Sequence, residues 1–144
     1  GIYDSSRLKH IASVLKLLGT RKAFVVHGSD GLDEITLTGE TKVCELANGQ
    51  ISEYILKPDS FDLTACEAKD ITGGTPEENA DILKAILSGI KGPKRDIVLM
   101  NASAAICASD KKENLKIAME LARESIDSGS AEQKLNDLCR LSHE

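Results

Sequence analysis

The spacing of apolar residues divides the chain into helical and extended stretches. Leu8, Ile11, Ala12, Leu15 and Leu18 recur at the period of one helix face, with Asp4 placed to cap that helix and Gly19 to end it. The run 22–27 is short, rich in β-branched residues and bounded by Gly28, which predicts a buried strand. Residues 35–37 predict a short second strand. Thr41–Ala47 and Gln50–Leu56 flank Asn48 and Gly49, the strongest two-residue hairpin signal. Residues 57–74 read as loop, punctuated by Pro58, Asp59, Ser60, Gly73 and Gly74.

Further along, Thr75, Pro76 and Glu78 form a helix start: a threonine cap, a proline in the first turn and a glutamate that completes a capping box. Ala80, Leu83 and Leu87 continue one face as far as Gly89. The run 97–100 is ambiguous alone, but Ala102, Ala104, Ala105 and Ala108 behind it favour a buried helix. A helix over 111–127 directs Leu115, Ala118, Met119, Ala122 and Ile126 inward. A last one starts at a cap formed by Ser130 and Gln133 and presents Leu135, Leu138 and Cys139. Helices interleaved with strands predict an α/β domain with a mixed, partly parallel sheet, a hairpin and flanking helices. No internal repeat or linker divides residues 1–144.

Composition sharpens this picture. With 144 residues, 41% hydrophobic, the chain can bury a sizeable core, built from aliphatic residues because only 3% is aromatic. A net charge of −5 argues against a general nucleic-acid binder, which needs a basic surface to displace counterions. Cys44, Cys66, Cys107 and Cys139 form no close pair of the kind zinc sites use, so free thiols and a cytoplasmic location are expected. No apolar run approaches the about 20 residues that cross a bilayer.

The segment after the first strand carries the candidate chemistry. Gly28 and Gly31 frame a turn that leads to the adjacent carboxylates Asp33 and Glu34. Ligands of open α/β sheets bind beyond the carboxyl ends of strands. Magnesium takes hard oxygen ligands, commonly one or two carboxylates together with substrate phosphates. In a chain with 23 acidic residues, spacing alone leaves an ordinary solvated pair as the alternative.

The longer string Val25-Val26-His27-Gly28-Ser29-Asp30-Gly31-Leu32-Asp33-Glu34-Ile35 resembles a segment of the anthranilate phosphoribosyltransferases. The similarity continues, in order, through Asn48-Gly49, through Gly73-Gly74-Thr75-Pro76-Glu77-Glu78-Asn79-Ala80, through Leu99-Met100-Asn101-Ala102, and through the stretch from Ala122 to Gly129. The resemblance implies an incomplete phosphoribosyltransferase-type α/β domain. It also implies transfer of the phosphoribosyl group of phosphoribosyl diphosphate to anthranilate, with release of diphosphate, a step of tryptophan biosynthesis. By the same resemblance Asp33 and Glu34 bind the Mg²⁺ that accompanies phosphoribosyl diphosphate. The family's N-terminal helical region, its glycine-rich diphosphate loop and its basic anthranilate-contacting segment have no counterpart here. The chain is therefore expected to be a C-terminal piece, inactive alone, and not to form the family's homodimer, which uses the helical region. The competing readings are a stand-alone structural or interaction domain and part of a related nucleoside phosphorylase. The string around Asp33 and Glu34 argues against the phosphorylase.

Other polar residues have plainer readings. His27 is expected to be a hydrogen-bonded structural histidine. Gly73 and Gly74 are expected to form a turn and cap in preference to an anion cradle, because Glu77 and Glu78 crowd that helix start. Asn101 is expected to satisfy a buried backbone group, and Arg123 to pair with Glu120 or Asp127 on a solvated helix face.

Overall fold

A computed structural model describes residues 1–109 and 114–142. Asp4 caps a single 3₁₀ turn, Ser5–Arg7, by accepting a hydrogen bond from the Ser6 N–H (3.0 Å), and the turn runs directly into helix α1, Leu8–Leu17. Strand β1 (Lys22–Gly28) pairs with β2 (Thr41–Ala47), which pairs with β3 (Gln50–Leu56). Both pairings are antiparallel, with Val26 opposite Val43 and Ala47 opposite Gln50. Asn48 and Gly49 both take positive φ, 50° and 73°, which the tight turn between β2 and β3 requires.

The sheet departs from the expected partly parallel arrangement. Parallel neighbours need a crossover of a dozen or more residues, usually a helix. Among the described residues, β1 and β2 are joined by the helix-free loop 29–40, and β2 and β3 by the two-residue turn, so each connection returns the chain antiparallel. The expected strand over 35–37 is absent too. Ile35, Thr36 and Leu37 are fully buried, but the backbone N–H groups of Ile35 and Thr36 donate to the side chains of Asn101 and Thr41, so no ladder forms.

The sheet separates two apolar clusters. Val25 and Cys44 face Leu8 and Ala12 of α1, with Ile11 and Leu15 packed alongside. Leu18, expected on that stripe, lies past the end of α1 and is 76% exposed. On the opposite face Val26, Val43 and Leu56 join Ile35, Leu37, Phe61, Leu99 and Met100 in the larger core.

The stretch 57–74 contains a 3₁₀ turn, Pro58–Phe61, and the short helix α2, Ala68–Ile71. Helix α3 (Pro76–Leu87) begins with the expected capping box. Its inward residues are Ile82, Ile86 and Leu87, whereas Ala80 and Leu83 point outward. Helix α4 (Pro93–Ala108) buries Leu99, Met100, Ser103, Ala104 and Cys107. Helix α5 (Leu115–Asp127) buries Ala118, Met119, Ala122 and Ile126 as its periodicity requires, and starts at the cap residue Asn114. Lys111, the expected start of that helix, is outside the described residues. Helix α6 (Ser130–Leu141) follows Gly129, and no side chain caps it. Leu138 and Cys139 are exposed there; the contact with the core comes from Ala131.

Candidate functional site

Asp33 and Glu34 lie on the loop that leaves the carboxyl end of β1, and both are exposed. The loop begins as a turn in which Gly31 N–H donates to the Gly28 carbonyl (3.0 Å) and Gly28 N–H to the Leu32 carbonyl (2.8 Å). The two framing glycines serve different needs. Gly31 has φ +91°, a region that residues with a Cβ resist. Gly28 has no room: a Cβ there would lie 2.5 Å from Asp30 Oδ1 and 3.0 Å from Thr36 Cβ.

Asp30 organises the interior of the loop. Its Oδ1 accepts from Leu32 N–H (3.1 Å), and its Oδ2 accepts from the hydroxyls of Thr36 (2.5 Å) and Thr38 (2.6 Å). Burial alone raises the Asp30 carboxyl, but the hydrogen bonds from Thr36, Thr38 and Leu32 outweigh it and hold the group below the usual carboxylate range. Thr36 N–H donates to Thr41 Oγ1 (3.0 Å), and Ser29 N–H closes the loop onto the Glu40 carbonyl (2.8 Å).

Two long-range contacts flank the acidic pair. Asn101 on α4 accepts from Ile35 N–H (2.8 Å) and donates to the carbonyls of Ile35 and Ile97 (2.9 Å each). It satisfies buried backbone groups, as expected from its position in an apolar run. Gly1 packs so closely that a Cβ would fall 1.6 Å from the Asp33 carbonyl oxygen, a space only glycine fits. Glu34, Ile35, Asn101 and Gly1 edge a cavity of about 210 Å³ beside Phe24 and Val26 of β1.

By contrast with Asp30, neither Asp33 nor Glu34 has a side-chain hydrogen bond or ion pair among the described residues. No group of three or more His, Cys, Asp or Glu residues converges on a metal-sized site among them either. Two carboxylates on a pinned loop, unengaged among the described residues, could supply hard oxygens to a cation and leave its other positions to water or phosphate. That set suits Mg²⁺, which keeps waters and phosphate oxygens, better than an ion needing a full protein cage.

The other candidate residues have structural roles. His27 Nδ1 is 2.9 Å from the Ile2 carbonyl. At Gly74 the backbone is occupied: Asn79 Oδ1 accepts from Gly74 N–H (2.8 Å) and Asn79 Nδ2 donates to the Gly74 carbonyl (3.0 Å). Arg123 pairs with Glu120 (3.4 Å), while Asp127 pairs with Arg95. Arg95 is 4% exposed and also donates to the Gly89 carbonyl (3.1 Å). It lies two residues past Pro93, and nothing in the local sequence marks it as buried.

The family model described as "Glycosyl transferase family, a/b domain" matches residues 1–132. The chain belongs to this glycosyl transferase family. The chain is 45% identical to the anthranilate phosphoribosyltransferase of Desulfatibacillum aliphaticivorans over all 144 of its residues, which are 43% of that protein. The crystal structure of anthranilate phosphoribosyltransferase from Thermus thermophilus superposes with a TM-score of 0.86 at 36% identity, covering 95% of this chain and 40% of that one. The enzyme from Saccharomyces cerevisiae in complex with PRPP and Mg superposes at 0.83 and 32% identity, again over 40% of its length. As a member of the family, the chain thus spans less than half the length of the relatives it matches. No described helix is long and apolar enough to cross a membrane.

Proposed function

We propose that residues 1–144 are the C-terminal α/β part of a cytoplasmic, Mg²⁺-dependent anthranilate phosphoribosyltransferase. The rest of that enzyme supplies the helical region, the glycine-rich diphosphate loop and the anthranilate contacts. The observation that carries the reading is the contrast within one loop: Asp30 is consumed by internal hydrogen bonds, while Asp33 and Glu34, beyond the carboxyl end of β1, are unengaged among the described residues. Relatives of the whole length are named for this reaction, and one is described with PRPP and Mg bound.

In this reading the ribose C1–O bond breaks with its electron pair going to diphosphate, the anthranilate nitrogen bonds to C1, and the nitrogen then loses a proton. Asp33 and Glu34 would hold Mg²⁺, which neutralises charge building on the departing diphosphate. Asp30 and its threonines hold the loop in shape before substrate arrives, so little reorganisation is left for the reaction itself. No side chain of this segment is required as a nucleophile.

The test uses the full-length transferase carrying this segment, with Asp33→Asn and Glu34→Gln combined. We expect kcat/KM to fall at least about 100-fold at limiting Mg²⁺, with folding intact. Near-native turnover would remove the assigned role. The 144-residue chain alone is expected to show no turnover and only weak binding of phosphoribosyl diphosphate with Mg²⁺.

A further inference from the structure

Asp33 and Glu34 are suspended between two fixed residues. On one side Leu32 is held within the turn itself, its N–H on Asp30 and its carbonyl on Gly28. On the other side Ile35 is held by Asn101, 66 residues away in sequence. We propose that Asn101 is the positioning residue of the acidic pair, joining the loop to α4 so that both carboxylates meet a divalent cation in one orientation. This rests on the metal reading above.

The geometry favours a positioning role over simple packing. One carboxamide serves both backbone groups of Ile35, accepting from N–H at 2.8 Å and donating to the carbonyl at 2.9 Å, as a neighbouring strand would. The bond to Ile35 N–H fixes the peptide plane that joins Glu34 to Ile35, and the bond to its carbonyl fixes the next one. The third bond, from Nδ2 to the Ile97 carbonyl one helical turn back, holds the carboxamide's own orientation. Asparagine is a poor residue for the interior of a helix. The same chain length ending in a carboxylate would retain the acceptor for Ile35 N–H and turn negative charge on the two carbonyls.

The experiment reads paramagnetic broadening of the Asp33 and Glu34 amide signals as Mn²⁺ is titrated into the 144-residue chain. Native chain, Asn101→Ala, Asn101→Asp, Asn114→Ala and the combined Asp33→Asn, Glu34→Gln variant are compared. We expect both Asn101 variants to need about tenfold more Mn²⁺, the scale on which groups behind metal ligands act. Asn114→Ala removes the cap of α5 and should lower the melting temperature while leaving the Mn²⁺ response native, which separates positioning from general stability. If Asn101→Ala does not fold, the isosteric Asn101→Asp decides. A native Mn²⁺ response in a folded Asn101 variant overturns the positioning role alone, provided the Asp33→Asn, Glu34→Gln variant has lost its response. Unchanged broadening in that variant, or none in the native chain, overturns the metal reading and this inference with it.

Discussion

At the start of α3, Thr75 and Glu78 hold each other's backbone N–H groups and Asn79 grips Gly74; between β1 and β2, Asp30 takes the internal hydrogen bonds, and the side chains of Asp33 and Glu34 take none among the described residues. Both turns combine two glycines with several polar and acidic side chains. In the first, the box uses Glu78 and the asparagine occupies the backbone that could otherwise meet an anion. In the second, the structural work is concentrated in one aspartate, and the next two acids remain available. Composition therefore does not tell a structural acid from one left open to a ligand. Whether each carboxylate already has partners does.

Removing Asp30 should break the second turn most severely. Asp30→Ala removes the acceptor shared by the Thr36 and Thr38 hydroxyls and frees Leu32 N–H, and urea unfolding should register a loss of about 3 kcal/mol, since bonds to charged acceptors are the stronger class. The sign of the pH dependence follows. The folded Asp30 carboxyl sits below its ordinary value of 3.8, so its stabilisation is complete above that value and disappears as the pH falls through the lowered folded pKa. Asp30→Asn should flatten that acid limb of the stability curve.

Gly28→Ala attacks the same hub by volume, pressing a methyl group on Thr36 and Asp30, and should destabilise by about 2 kcal/mol in the same urea titration. In the first turn, Thr75→Ala should cost about 1 kcal/mol in thermal or denaturant unfolding, the usual value of a lost N-cap, and leave divalent-cation binding untouched. A cation response that follows Thr75 in place of Asp30 would reverse the assignment of the two turns.

The elements that can be read from sequence are those fixed by neighbours in sequence. Thr75, Pro76 and Glu78 carry their helix start within four residues, Asn48 and Gly49 carry the hairpin, and the face of α5 follows its own period. Pattern misleads where a distant partner decides. Residues 35–37 are apolar enough for a strand, but Asn101 and Thr41 take their N–H groups, so the segment becomes a buried plug. The parallel pairing expected from a helix followed by a strand is not found, because the connections between the described strands contain no crossover helix.

The candidate site is legible only in part. Asp33 and Glu34 can be named from their string, and Asn101 can be given a backbone partner but not the identity of that partner. Nothing in the pattern marks the grip of Asp30 or the close approach of Gly1 to Asp33. Only the fold brings Gly1 to a residue 32 positions away, and only the turn's shape shows which of three exposed acids takes up the loop's own hydroxyl and N–H donors.

The most direct test follows backbone amide shifts of the 144-residue chain as Mg²⁺ and inorganic diphosphate are added together. If the acidic pair is the cation site, the largest changes fall at Asp33 and Glu34 and fade toward Ile35 and Leu32. Changes centred on Gly73, Gly74 and Thr75, with Asp33 and Glu34 still, would contradict it.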